Sequence, residues 1–362
     1  MRHTILNGDV IACLRSLPDA CVQCVVTSPP YWGLRDYGVE GQIGLEPTPG
    51  EYVEKMIEVF REVKRVLRDD GVLWLNLGDS FADKDLVGIP WRVAFALQAD
   101  GWYLRSDIIW SKPNAMPESV TDRPTKSHEY VFLLSKSARY FYDADAVRET
   151  AQNRPFDPSK KVERDPTRMV MGNGHNYAPG GSGYGNNPAG RNRRTVWEIA
   201  TQPTPEAHFA TFPEALVEPC IKAGTSARGA CPECGAPWRR VVEIERSDVP
   251  RCNSKSAGRR DCNYGDSDST TLRARKIEVR RGDWQPSCTC GTEETVPCVV
   301  LDPFGGSGTV AKVARDLGRS SILIEINPEY VQIAKKRLRI GEQLDSGVCE
   351  YVVKNFRPEA TP

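Results

Sequence analysis

The stretch that decides the fold is Val299-Val300-Leu301-Asp302-Pro303-Phe304-Gly305-Gly306-Ser307-Gly308-Thr309. An apolar run passes through an acid into a glycine-rich turn. The turn opens an amphipathic pattern with Val310, Val313, Ala314 and Leu317 on one face. Glycines there let backbone approach a ligand and adopt positive φ without steric cost. The first turn of the helix offers free N–H groups to a polar or anionic ligand group. Beyond Gly318 a second apolar run, Ser321-Ile322-Leu323-Ile324, ends in Glu325. A carboxylate at the end of that second strand is placed to accept bonds from both hydroxyls of a ribose. The glycine spacing departs from Gly-x-Gly-x-x-Gly, so the loop alone is a weak signal. Strand, loop, helix, strand and acid in this order make a strong one.

Far upstream, the apolar run Cys24-Val25-Val26 reads as a short buried strand that exits into Thr27-Ser28-Pro29-Pro30-Tyr31-Trp32. Two prolines fix φ, remove N–H donors and hold the preceding residues extended. The turn is stiff, with carbonyls pointing outward and Tyr31 presented as a flat face. A hydroxyl, a carbonyl and a ring can together hold a planar base by its amino group. A strand-ending turn with a packed tyrosine would read the same way if this stretch stood alone.

Taken together, Ser28-Pro29-Pro30-Tyr31 and Asp302-Pro303-Phe304-Gly305-Gly306-Ser307-Gly308 resemble the amino-group DNA methyltransferases that use S-adenosyl-L-methionine. The order, catalytic tetrapeptide first and cofactor loop near the C-terminus, resembles their circularly permuted β class. The likeness covers residues 1–145 and 205–340. It implies an α/β fold, a doubly wound, mostly parallel Rossmann-like sheet, with Asp302 to Gly308 and Glu325 holding the cofactor. It implies that Asp9 contacts the cofactor's adenine, although the residue pattern equally suits a helix N-cap. It also implies that Thr211 and Phe212, in the segment His208 to Glu214, support the methionine end. Read from the residues alone, Pro213 and Glu214 simply start a helix well, and His208 receives no catalytic part. Members with Ser-Pro-Pro-Tyr are mostly cytosine-N4 enzymes and those with Asp-Pro-Pro-Tyr mostly adenine-N6 enzymes. That tendency leaves the target base open.

The 362 residues suffice for one good core plus an insertion. Lys+Arg and Asp+Glu are both 48, so any nucleic-acid footprint must be local. No apolar run approaches the length of a membrane span, and the first residues show no signal-peptide core. Twelve cysteines scattered through a chain of this size fit a reducing cytosol. Cys21 and Cys24 have metal-like spacing, yet Cys24 opens a buried strand, so the pair reads as core.

Alternating patterns fill residues 1–150, the catalytic half: a strand over residues 4–10, helices at Val10 to Leu17, Glu51 to Leu67 and Ile89 to Asp100, and strands at Gly71 to Ser80 and Asp107 to Pro113. Asp69-Asp70-Gly71 is expected to end the second helix. Residues 128–134 and 139–142 suggest a hairpin at the sheet edge. Gly33 to Gly50 reads as a mobile loop bordering the site, with Arg35 and Tyr37 suited to phosphate and base contacts. Residues 151–200 hold 8 Lys/Arg against 4 Asp/Glu and, up to about 195, are dominated by Asn, Gly, Pro and Arg. This segment reads as a flexible basic loop in which Arg191, Arg193, Arg194 and Tyr184 would meet DNA phosphates.

Residues 201–224 and 298–345 form the cofactor half, 225–297 a Cys-rich insertion between them, and 346–362 a C-terminal tail. Cys231-Pro232-Glu233-Cys234-Gly235 is a zinc-knuckle type turn, and Cys288-Thr289-Cys290 supplies two more thiols. Four thiolates suit a closed structural zinc, with Cys252 and Cys262 as substitutes for the tighter Cys-x-Cys half. The stretch Arg251 to Arg281 carries too few apolar residues to fold without such a staple.

The expected function is site-specific methylation of double-stranded DNA at an exocyclic amine, cytosine N4 first and adenine N6 as the alternative. A cysteine nucleophile, as carbon-5 methylation requires, is absent from the Ser-Pro-Pro turn. RNA or protein-glutamine methylation and a non-catalytic DNA-binding module are the competing readings. No nuclease constellation is visible in the sequence, so a restriction endonuclease would be a separate chain. The recognition sequence is expected to be set by the two variable segments.

Overall fold

A computed structural model describes residues 1–150, 190–202, 212–249, 274–340 and 350–356. The chain divides into two compact units. One comprises Met1–Val147, Arg194–Arg239 and Trp284–Pro362; the other comprises Arg148–Arg193 and Arg240–Asp283.

In the first unit β1 (Arg2–Asn7), α1 (Val10–Arg15) and β2 (Val22–Thr27) are followed by α2 (Pro49–Val66) and β3 (Leu67–Leu77). Two short strands, β4 (Phe81–Ala82) and β5 (Asp85–Leu86), precede α3 (Ile89–Ala99), β6 (Tyr103–Ser111) and β7 (His128–Ser135). Then come β8 (Val196–Glu198) and α4 (Glu214–Gly224). The strands β9 (Arg239–Val249) and β10 (Ala274–Gln285), almost wholly of the second unit, pair in a small sheet of their own. The chain finishes with β11 (Val299–Asp302), α5 (Thr309–Asp316), β12 (Ser320–Glu325), α6 (Pro328–Arg337) and β13 (Glu350–Asn355).

Among the described residues nine strands make one sheet in the order β13-β1-β12-β11-β2-β3-β7-β6-β8. Every pairing is parallel except those of β7, which runs against both β3 and β6. The sheet is therefore the mostly parallel, doubly wound kind. Such sheets are buried on both faces, and the central strands β2 and β11 and the second half of β3 are buried almost throughout for that reason. Val25, Leu73 and Leu75 face α1, α2 and α3, while Cys24, Val26, Val72 and Trp74 face α4 and α5. α6 packs Val331, Ala334 and Leu338 against Ile5 and Leu323.

The helix α2 shows why these segments form. Thr48 accepts the Glu51 N–H at 3.2 Å as N-cap, Pro49 begins the first turn, and Tyr52, Met56, Val59, Phe60, Val63 and Val66 bury one face. It passes directly into β3 at Leu67, so Asp69-Asp70-Gly71 lies inside the strand rather than ending the helix. Pairing of Leu67 with Val22 extends β3 backward past the polar residues.

Two more expectations are corrected. Residues 128–135 do not form an edge hairpin with 139–142; β7 lies in the interior between β3 and β6, where Phe132 and Leu134 are fully buried. Part of the supposed tail becomes β13, which pairs with β1 from Arg2↔Glu350 to Asn7↔Asn355. The loop after Tyr31 is folded back on itself. Gly33 N donates to Gly44 O at 2.8 Å, and Trp32 Nε1 donates to Glu46 O at 2.8 Å. Among the described residues no helix is long and apolar enough to cross a membrane.

Candidate active site

The sheet winds outward in both directions from the contact between β2 and β11. From β2 the chain crosses through α2 to β3, and from β11 it crosses through α5 to β12. Open α/β sheets bind ligands at such a reversal, beyond the carboxyl ends of the strands. Both sequence motifs leave their strands at that place. Thr27 Oγ1 joins them by donating to Asp302 Oδ1 at 2.7 Å. Asp302 also accepts the Phe304 N–H at 3.1 Å. Burial pushes its carboxyl up to about 7, against the pull of these two donors.

The glycine loop is built around a close approach. A Cβ on Gly305 would lie 2.1 Å from Leu323 Cδ1, so only glycine lets the loop settle on β12. Gly306 and Gly308 hold φ of 48° and 81°, a region that favours glycine. Glu325 accepts the Gly306 N–H at 2.7 Å through one oxygen and the Asn327 N–H at 2.8 Å through the other. Burial raises its pKa. Ser307 faces inward instead of lining the loop. It is buried and takes the Arg337 guanidinium at 2.6 Å, which also bonds Thr309 Oγ1 at 2.9 Å. Arg337, which the sequence did not single out, thus fixes the loop to α6. Pro303 is buried, and Phe304 packs against the core from a half-buried position. Asp9 accepts the Ala12 N–H at 2.9 Å as the N-cap of α1. Phe212 packs beside α4, whereas Thr211 lies outside the described residues, as do His208, Tyr184, Cys252 and Cys262.

The Ser28-Pro29-Pro30-Tyr31 turn is anchored by Tyr52, whose hydroxyl donates to Pro30 O at 2.9 Å. Tyr31 does not stand free. Its ring lies against Gly78, where a Cβ would come within 2.5 Å of Tyr31 Cε2. Its hydroxyl donates to Glu129 Oε2 at 2.8 Å, accepts from Asn76 Nδ2 at 2.8 Å and lies 3.2 Å from Ser28 Oγ. The same Asn76 Nδ2 donates to Glu129 Oε2 at 2.8 Å, and Lys112 Nζ forms an ion pair with Glu129 Oε1. Burial, with Glu129 adding to it, raises the Tyr31 pKa well above its ordinary value. Asn76, Lys112 and Glu129 escaped the sequence reading. The one hint is a polar pair, His128-Glu129, directly before an apolar run.

Elsewhere, the Sγ atoms of Cys231, Cys234, Cys288 and Cys290 all lie within 4.8 Å of one another. The Cys-x-Cys half therefore joins the Cys-x2-Cys half. Gly235 N donates to Cys231 O at 2.9 Å and Cys231 N to Ala236 O at 2.8 Å, which closes the knuckle turn. In the second unit the Arg191 guanidinium is engaged by Glu149 at 2.9 Å.

A doubly wound sheet that brings a glycine loop, the acid Glu325 beneath it and a proline-stiffened turn to one reversal has the fold of the S-adenosylmethionine-dependent methyltransferases. The profile of the family described as DNA methylase matches residues 22–231 and 297–336. The Type II methyltransferase M.Cfr9I of Citrobacter freundii is 38% identical, over 93% of this chain and 87% of its own. The Type II methyltransferase M.XycI of Xanthomonas campestris pv. cyanopsidis is 39% identical, over the same shares of the two chains. Among solved structures, the cytosine-N4-specific PvuII DNA methyltransferase shares the fold at a TM-score of 0.55 and 18% identity, covering 96% of this chain and 89% of its own. The chain belongs to the DNA methylase family, whose members methylate exocyclic amines.

Proposed function

We propose that this protein methylates double-stranded DNA at cytosine N4, with Ser28, Pro29, Pro30 and Tyr31 as the amino-binding turn. The observation that carries the reading is the place of Ser28. Its hydroxyl leaves β2 one residue after Thr27, which is bonded to the first acid of the cofactor loop. The two halves of a transfer reaction are thereby adjacent. Ser-Pro-Pro-Tyr in place of Asp-Pro-Pro-Tyr favours cytosine over adenine within this family.

The residues fit S-adenosyl-L-methionine. A Cβ at Gly306 would meet nothing within 4 Å, which leaves open space above the loop, and Glu325 stands at the loop's floor. Asp302, Pro303, Phe304, Gly305, Gly306, Gly308 and Glu325 would hold the cofactor, with Ser307 acting through Arg337, and Asp9 and Phe212 at its two ends. When bound, the cofactor supplies an electrophilic methyl group.

The acceptor nitrogen is conjugated with its ring and lies inside the duplex, so the base must be flipped out at a cost of a few kcal/mol. Tyr31 stacks on the extruded base. Ser28 Oγ and the Pro29 carbonyl accept hydrogen bonds from the amine and turn its lone pair toward the methyl group. The remaining demand is proximity and orientation, which a turn pinned by Tyr52 supplies. Nucleoside mass spectrometry of DNA from cells expressing the protein or its Ser28→Ala variant tests this. Ser28-dependent N4-methylcytosine is the expected product. N6-methyladenine would overturn the base assignment, and no modified base at all would overturn the DNA substrate.

Four cysteines brought this close fit a closed tetrahedral zinc, in which sulfurs bound at ~2.3 Å stand about 3.8 Å apart. The donor set leaves no position for water, so the metal would be structural, joining chain on either side of β9 and β10.

A further inference from the structure

The hydrogen bonds at the methylation turn have a polarity that the sequence does not show. A tyrosine hydroxyl has one proton to give and two lone pairs to receive with. Tyr31 gives its proton to Glu129 Oε2 at 2.8 Å. Asn76 Nδ2 donates into one lone pair of the hydroxyl, also at 2.8 Å. The contact with Ser28 Oγ, 3.2 Å away, must then run from serine to tyrosine. Ser28 has its own proton committed to Tyr31, so its oxygen faces the pocket as an acceptor. That is the role an amine donor requires.

The carboxylate at the far end enforces this direction. It accepts from Tyr31, from Asn76 at 2.8 Å and from Lys112, and it gives nothing back. Lys112 stands over the Trp110 ring at 4.4 Å, which holds the ammonium in place. Glu129 reaches the turn because β7 is the one reversed strand of the sheet. Its first residues lie beside the last residues of β3, with Tyr130 paired to Leu77 and Val131 to Asn76.

We propose that Glu129 is the terminal proton acceptor and polarity-setting residue of the methylation site, acting through Tyr31 and Ser28. This deepens the amino-methylation reading and rests on it. Methyl transfer leaves the acceptor nitrogen positively charged with one proton too many. That N–H bond breaks as its proton passes to Ser28 Oγ. The serine proton passes to Tyr31 Oη, and the tyrosine proton to Glu129. The nitrogen becomes neutral, both hydroxyls are restored, and the carboxylate becomes a carboxylic acid. The acid later loses its proton to solvent. No charged hydroxyl has to persist, and the raised pKa of Tyr31 keeps its proton in place between turnovers. A flipped base fills the pocket and excludes the water that would otherwise take the proton.

The test measures single-turnover methyl transfer from radiolabelled S-adenosyl-L-methionine to genomic DNA free of base methylation. Wild type is compared with Glu129→Gln, Glu129→Ala, Tyr31→Phe and the Glu129→Gln/Tyr31→Phe pair. Glu129→Gln should lower the rate constant by about 100-fold, the usual scale for a lost proton acceptor, with DNA KM and cofactor affinity near wild type. Tyr31→Phe cuts the same chain, so the double variant should be no slower than the slower single one. Formate should restore part of the rate to Glu129→Ala, a gain that a merely structural residue would not show. A wild-type rate in Glu129→Gln overturns the proposal. So do losses that multiply in the double variant, or a Glu129→Ala enzyme that formate leaves unchanged. If wild type itself transfers no methyl to DNA amino groups, the methylation reading falls and the relay falls with it. Melting curves on every variant separate these outcomes from misfolding.

Discussion

An Asp302→Asn variant should gain stability relative to the native protein as the pH rises. Asp302 is fully buried, and its carboxyl is pushed up to about 7 from an ordinary 3.8. Between those values the folded chain keeps a proton that the unfolded chain has released. Stability therefore falls as pH climbs through the window and levels off above it. Each unit is ~1.4 kcal/mol, so the three-unit gap sets a ceiling of ~4 kcal/mol on the cost of the native carboxyl at high pH. Asparagine keeps an oxygen for the Thr27 hydroxyl at 2.7 Å and the Phe304 N–H at 3.1 Å, and it cannot ionise. Its extra N–H takes a constant ~1–3 kcal/mol if unpaired, which offsets the curve without changing its slope. The assay is urea unfolding of both proteins without cofactor, followed by tryptophan fluorescence. The advantage of Asp302→Asn should grow by ~2–3 kcal/mol between about pH 5 and about pH 8. Taking the difference cancels other titrations, including that of His3. Burial lowers His3 to about 4, so its slope runs the opposite way, stability being lost as pH falls below 6.5. A difference that stays flat with pH would refute the reasoning, because it would mean that the native carboxyl titrates like an exposed one.

Other sites give sharper functional readouts. Gly78→Ala places a methyl 2.5 Å from the Tyr31 ring, and the resulting shift of the ring should cost about 100-fold in kcat with cofactor affinity intact, read by single-turnover transfer and calorimetry. Glu325→Gln removes the charge that organises the Gly306 and Asn327 amides and should weaken S-adenosyl-L-methionine binding by at least about tenfold in the same calorimetric titration. Cys234→Ser, or a strong chelator on wild type, should remove one zinc per chain in elemental analysis and lower Tm; an unchanged melting curve from a protein that never contained zinc refutes the metal site.

The site was only half legible beforehand. The glycine loop, Glu325 and the Pro-Pro turn announce themselves because close approach, positive φ and stiff turns each need particular residues at consecutive positions. Glu129, Lys112 and Asn76 do not, since each stands in or beside a strand whose pattern says only that it is buried. The same limit explains β7. An apolar run with charged ends suits an edge or an interior position equally, and only its pairing with both β3 and β6 decides which. Residues 350–355 looked like a tail because their polar residues hide a strand that needs only the edge of β1 to form. The hydroxyl of Ser307 is held by Arg337, 30 residues later in the chain, a bond that no local pattern announces.

By itself, then, the sequence determined the doubly wound class, the two motif-bearing turns and the four thiols, and the resemblance of those turns to a known family supplied the cofactor type. The turns and the alternating strands and helices rest on short-range covalent and steric rules that act within a few residues. Tertiary structure alone decided which groups meet across the sheet. It set Thr27 against Asp302, joined Cys231 and Cys234 to Cys288 and Cys290, and turned β7 so that Glu129 stands behind Tyr31. Strand order and direction follow from the whole core packing at once, and no local stretch of chain carries that information.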